Sequence, residues 1–310
     1  MPQTQSLKSK KLTWLNIINA EDKEIDYLRR KFKFNQLDLL DSYNHKHSER
    51  PKINFRPDYI FIVLLFPIYN RQTRDIKPAE VDIFITKDHL ITIHNNQLAI
   101  LKDFFSSCEN VKQDRDAYLN QSPMMLLYEI LSRLYQHIYP MLDHVSLNIN
   151  DVEKNMFLGK ERLMVTEILI VKRNIVYCRK IMQAHKNTIK KLITEPSSLY
   201  NYKENHPIFY NDLLNDVKNI WELLENYQQT INALEDTNSA MVSFKLNDIM
   251  RTLTIFSVIV FPLTLMAAIF GMNVIDMPIV GQKNDFWIIM AIMLAASLLM
   301  FVYFKRKKWS

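Results

Sequence analysis

Glycine is nearly missing from this chain: there are three in 310 residues, at Gly159, Gly271 and Gly281. A backbone this poor in its most permissive residue has few places to turn through positive φ. That scarcity excludes Gly-rich loops that cradle phosphates, whether of the P-loop or the dinucleotide type. A nucleophile elbow and a His-Glu-x-x-His helix are absent too, so no catalytic constellation can be assembled and the chain is not expected to be an enzyme. Cysteine is equally scarce. Cys108 and Cys178 lie far apart without a partner motif, which excludes a disulfide framework and a zinc cluster and leaves two reduced, structural thiols. The first eleven residues hold no apolar run of the signal-peptide kind, so the bulk of the chain is expected to stay inside the cell. Charge is missing altogether from two stretches, Leu253 to Phe270 and Phe286 to Phe304.

What is present begins with a mixed domain. Leu12 to Asn19 reads as a strand, Ala20 to Lys31 as a helix with acids in its first turn, and Asn35 to Asp41 as a short helix. Four Ile-, Val- and Phe-rich runs follow: Lys52–Phe55, Tyr59–Pro67, Glu80–Thr86 and His89–His94. Asn70 to Pro78 and Lys87-Asp88 read as turns, and the short connections predict antiparallel pairing. His45 and His47 form His-x-His in a polar loop with no third ligand nearby, so a solvated loop is expected there. From Leu98 onward the pattern is helical, with two long helices over 121–157 and 160–193 meeting at Gly159. The fold class is therefore α+β, a sheet flanked by helices.

From Ile208 to Phe270 only Pro262 interrupts a helical pattern. At 1.5 Å per residue such a helix runs about 95 Å, far more than a bilayer needs, so its early part must be a stalk outside the membrane. Leu213, Val217, Ile220, Leu224, Tyr227, Ile231 and Leu234 repeat in steps of four and three, a heptad seam that demands a partner helix. A second stripe takes in Asp236, Ser239, Ser243, Asn247, Met250, Thr254, Ser257, Phe261, Thr264 and Ala268. At about 100° per residue it occupies a band of roughly 120°. Polar groups inside a span normally face protein or water rather than lipid, although hydroxyls can also bond their own helix carbonyls. The two uncharged runs form a hairpin of spans. Lys245 and Arg251 before it and Lys305 to Lys308 after it set both termini in the cytoplasm. The net charge of +6 thus reads as membrane flanks attracted to anionic lipid, with no nucleic acid as partner.

Lys245 to Phe256, Phe261-Pro262-Leu263-Thr264, Phe270-Gly271-Met272-Asn273, Met277-Pro278 and the basic end Tyr303 to Trp309 together resemble the CorA family of Mg2+ transporters. Glu49 to Phe55 with Tyr59 to Leu64 is a fainter echo of the family's cytosolic domain. The resemblance implies a funnel-shaped homopentamer in the inner (plasma) membrane, in which the first span lines a pore and the second faces lipid. It implies a selectivity filter at Gly271, Met272 and Asn273. Pore and gate positions would be Asn247, Met250, Leu253, Ser257, Phe261, Thr264 and Ala268, nearly all on the stripe found from periodicity. It implies regulatory metal at Asp212, with Glu80 or Asp82 of a neighbouring sheet as suggested partners. Where family members carry Glu after Met-Pro, this chain has Ile279, which leaves Asp276 and Asp285 to attract cations and opens the choice among Mg2+, Co2+, Ni2+ and Zn2+.

The expected organisation is an α+β cytosolic domain with its helical hairpin over 1–205 and a stalk over 206–252. A pore-lining span over 253–270, an outer loop over 271–285, a second span over 286–304 and a basic tail over 305–310 complete it. The expected function is channel-like Mg2+ uptake driven by membrane potential and gated by intracellular Mg2+. The alternatives are Co2+, Ni2+ or Zn2+ as cargo or, in a different class, a membrane-tethered sensor or scaffold without transport.

Overall fold

A computed structural model describes residues 3–43, 51–195, 206–272, 279–281 and 283–306. It divides into two compact units, 1–235 and 236–310. The first is built on six strands: β1 (Gln3–Lys8), β2 (Thr13–Ile18), β3 (Lys52–Phe55), β4 (Ile60–Asn70), β5 (Asp75–Ile85) and β6 (His89–His94). Their order is β1-β2-β6-β5-β4-β3. All neighbours are antiparallel except β2 and β6, which run parallel.

Because side chains alternate across a strand, each face of this sheet buries a different set. On one face Leu15, Ile17, Phe61, Val63, Phe84, Ile91 and Ile93 pack under α1 (Asp22–Phe32) and α2 (Gln36–Tyr43) through Leu28 and Leu39. Buried Asp38 of α2 is held there by two bonds from the Arg56 guanidinium (3.0 Å each), the Tyr59 hydroxyl (2.7 Å) and the Asn54 amide (2.9 Å). Burial pushes its carboxyl up, but those donors and the Arg56 charge outweigh it and hold the pKa below the ordinary value. On the other face Trp14 meets Phe104 and Phe105 of α3 (Ala99–Asn110) at centroid distances of 5.3 and 4.9 Å.

The helical part continues through α4 (Lys112–Leu119), α5 (Pro123–Gln136), α6 (Ile138–Phe157), α7 (Glu161–Met182) and α8 (His185–Thr194) to α9 (His206–Phe270) and α10 (Asp285–Arg306). Two of the expected long helices are each broken once. The first breaks at His137, where Pro140 has no N–H for the Gln136 carbonyl and its ring crowds that oxygen. The second breaks before His185, whose imidazole donates from Nε2 to the Leu65 carbonyl (2.7 Å) and accepts at Nδ1 from the Tyr135 hydroxyl (3.0 Å). The heptad seam finds its partner within the chain. Leu213, Val217, Ile220, Leu224 and Ile231 are buried, and α7 lies alongside, with Arg179 on Glu225 at 2.6 Å and Lys172 on Glu235 at 2.5 Å.

Two strands depart from expectation. β1 was not anticipated, and β5 starts at Asp75 rather than Glu80. Pro78 sits inside β5 opposite Pro67 of β4. Two prolines can face each other only in a pair that exchanges no N–H bonds. The flanking strands have already ended there, since β3 reaches only Val63 and β6 only Val81. His45 and His47 lie outside the described residues. Both thiols are buried, and burial pushes Cys108 up to about 11 and Cys178 up to about 12.

His185 yields a prediction. Burial pulls its pKa from 6.5 down to about 4, opposed by the Leu65 bond. The unfolded imidazole therefore holds a proton between these values that the folded one lacks, so stability is full above about pH 6.5 and falls as pH drops toward 4. His185→Gln should unfold at a lower temperature at neutral pH yet lose less over that interval. Thermal unfolding of both proteins across the interval checks this; parallel losses would contradict it.

Candidate functional site

Helix α9 carries the stripe, and no described residue of its uncharged run is buried. α9 and α10 are both long and apolar enough, by length and composition, to cross a membrane. The core helix of a soluble protein would be covered. Met250, Leu253 and Phe261 are 59, 58 and 70% exposed, and apolar side chains of this size demand a solvent other than water.

Along the stripe each described hydroxyl inside the uncharged run gives its proton to the preceding turn. Thr254 donates to the Met250 carbonyl at 2.8 Å, Ser257 to Leu253 at 2.9 Å and Thr264 to Val260 at 2.9 Å. Self-bonding of this kind satisfies the donors. It leaves each oxygen's lone pairs pointing outward, so the face is one of acceptors.

The helix ends at Gly271, where the N–H groups of Gly271 and Met272 close back on Ala267 (3.0 Å) and Ile269 (3.2 Å). A Cβ on Gly271 would stand 3.1 Å from the Ala267 carbonyl oxygen. Any other residue there would need that carbonyl to give by a few tenths of an ångström. Gly281 differs: its φ of 94° is a left-handed turn, and Ile279 at 83° shares that region, which β-branched residues seldom enter. Asn273, Asp276, Met277 and Pro278 lie outside the described residues, as do Lys307 and Lys308. Asp285 has a local duty as first residue of α10. Its carboxylate accepts from the N–H of Gly281 (3.1 Å) and of Phe286 (2.6 Å), so it ties loop to helix and favours the positive helix end.

The acids expected to hold a regulatory ion are dispersed. Asp212 is exposed on α9 and accepts from the Tyr128 hydroxyl at 3.2 Å. Asp82 and Glu80 of β5 are 0 and 4% exposed, inside the sheet unit rather than on its surface. Burial first, then the Glu80 charge, pushes the Asp82 carboxyl well above its usual range. An ion shared with Asp212 of another copy would require opening that interior. Among the described residues no group of three or more His, Cys, Asp and Glu can hold a metal. Sequence reasoning missed Asp216, one turn after Asp212. It takes the Gln136 amide at 3.4 Å, and burial followed by the Asp212 charge raises its pKa. Its i,i+4 spacing was the available signal.

Against known proteins, the family model of the CorA-like Mg2+ transporter protein matches residues 9–306. The chain belongs to the CorA family. The cobalt/magnesium transport protein CorA of Thermotoga maritima is 27% identical over 299 residues, covering 96% of this chain and 83% of that one. The complete structure of the CorA magnesium transporter from Methanocaldococcus jannaschii superposes with a TM-score of 0.84 at 20% identity over 99% of this chain and 94% of its own. The full-length CmaX protein follows with a TM-score of 0.73 at 15% identity, covering 96 and 89%. At these identities the structures speak for the fold: a sheet flanked by helices, one long helix and a C-terminal helix, as the CorA resemblance implied.

The Asp285 contacts predict that Asp285→Ala costs about 0.3–1 kcal/mol, the usual worth of an acidic side chain in the first turn of a helix. Unfolding of the detergent-solubilised protein should register it, while Asp285→Asn, which keeps an acceptor, should lose less. Equal losses would leave the cap without a role.

Proposed function

We propose that this chain is one subunit of a homopentamer that lets Mg2+ cross the inner (plasma) membrane, with both termini in the cytoplasm. The observation that carries this reading is the uncovered second half of α9, an apolar helix with one acceptor-lined edge. One such edge cannot enclose a path, but closed cyclic symmetry turns several into a wall. In this reading 253–270 lines the pore, 286–304 faces lipid, and Gly271, Met272 and Asn273 form the filter in the outer loop 271–285.

Hydrated Mg2+ holds its water tightly and presents water hydrogens outward. Lone pairs on Ser257 and Thr264, and the Asn273 carboxamide oxygens, are suited to receive them. Uncharged acceptors hold moderately and therefore release. Two charges moving inward through about 100 mV gain about 4.6 kcal/mol, so no nucleotide site is required. Met250, Leu253 and Phe261 supply apolar rings that close by dewetting, Asn247 a polar ring at the inner end, and Ala268 room beneath the filter. Asp276 and Asp285 draw cations to the outer mouth, the latter with its carboxylate already engaged in the cap.

Asp212 acts as a brake, reading internal Mg2+. The donor set fits, since Mg2+ takes one or two carboxylates and keeps the rest of its water. Asp216, one turn away with its pKa raised by burial and the Asp212 charge, is a better-placed companion than buried Glu80 or Asp82. Co2+, which the Thermotoga relative's name pairs with magnesium, is the first alternative cargo, and Ni2+ and Zn2+ come after it.

Flux into liposomes tests the reading. Asn273→Ala should lower Mg2+ entry at least tenfold, and Gly271→Ala should lower it too by shifting the filter. Undiminished flux in Asn273→Ala would remove the filter from the account. Wild-type protein passing no ion at any Mg2+ concentration would favour a membrane-tethered sensor or scaffold instead. Asp212→Asn should need several-fold more Mg2+ on the cytoplasmic side for half-inhibition; an unchanged requirement would contradict the brake.

A further inference from the structure

The α6–α7 hairpin ends in a tip that the rest of its unit leaves uncovered. Phe157, Leu158 and Leu163 are 66, 63 and 66% exposed around Gly159, whose φ of 85° makes the turn. Lys154, Lys160 and Arg162 are exposed among them. The acid within the tip, Glu161, is only 3% exposed, and exposed Asp151 and Glu153 stand further back along α6. Large apolar side chains ringed by cations match a surface that is anionic outside and apolar beneath.

Direction agrees with composition. Arg179 pairs with Glu225 and Lys172 with Glu235, so α7 descends in number as α9 ascends and the two are antiparallel. The tip, at the N-terminal end of α7, therefore lies at the end of this unit where its own part of α9 stops, at Glu235. We propose that the tip docks on anionic phospholipid of the membrane that α9 crosses. Phe157, Leu158 and Leu163 enter the headgroup layer, and Lys154, Lys160 and Arg162 sit on lipid phosphates. The proposal rests on the reading of α9 and α10 as spans.

The test uses the full chain in vesicles of phosphatidylcholine and phosphatidylglycerol at about 3:1, a fraction chosen to give an anionic surface. A fluorophore is attached at Leu158→Cys or, in a second protein, at Leu163→Cys; the native thiols are buried. Val111→Cys, exposed on the same unit, is the negative control, and Leu294→Cys in α10 is the positive control. Brominated lipid should quench both tip labels at least twofold more than the Val111 label, and replacing phosphatidylglycerol by phosphatidylcholine should abolish the difference. Quenching at Leu294 with none at either tip label overturns the docking and leaves the spans intact. No quenching at Leu294 overturns both. Tip labels shielded from water yet untouched by brominated lipid would mark a contact between copies and overturn the proposal as well.

Discussion

Everything in this molecule answers to one mismatch, that between water and the uncharged halves of α9 and α10. A helix satisfies its own backbone groups, so it can leave water without stranding a donor. Its side chains have no such independence. With no described residue of either uncharged run buried by the chain itself, burial must come from lipid, from other copies, or from both. The sheet unit has no comparable debt. Its two faces are closed by α1 and α2 on one side and by α3 and the later helices on the other, around Trp14, Phe61, Phe84 and Phe105, none more than 1% exposed.

The stripe on α9 follows from the same physics. Ser257 and Thr264 cannot leave a proton unbonded in an apolar medium, so they spend it on their own helix. The oxygens that remain are acceptors without charge. Such an edge is weakly polar, tolerable beside lipid yet useful beside a hydrated cation, whose outward face is made of hydrogens. A carboxylate in those positions would bind harder and release more slowly.

The sequence disclosed features that depend on period and composition. β4 opens on an unbroken run of Ile, Phe, Val and Leu, β6 sets Leu90, Ile91 and Ile93 between polar residues, and both were legible as strands. The seam of α9 was legible from its three-four spacing, although nothing in it named α7 as partner. β1 was hidden because Gln3–Lys8 carries little β signal and is held by pairing with β2. The start of β5 was hidden because Pro78 reads as a turn unless Pro67 is known to stand opposite. The burial of Glu80 and Asp82 was likewise not legible from the sequence. Polar residues two apart in a strand usually mark the wet face, but Asp82 has Ser42 and Asp41 of α2 beside it. The capping role of Asp285 depends on where the Gly281 N–H falls, and no spacing rule supplies that.

The most direct measurement is water accessibility along the two edges of the first span. Cysteines at Ser257 and Thr264 on the stripe, and at Leu263 on the opposite edge, would be exposed to a membrane-impermeant thiol reagent in reconstituted protein. The account predicts modification at Ser257 and Thr264, slowed by high Mg2+, and none at Leu263. Equal modification at all three, or protection at Ser257 and Thr264 at every metal concentration, would contradict an aqueous axis lined by α9.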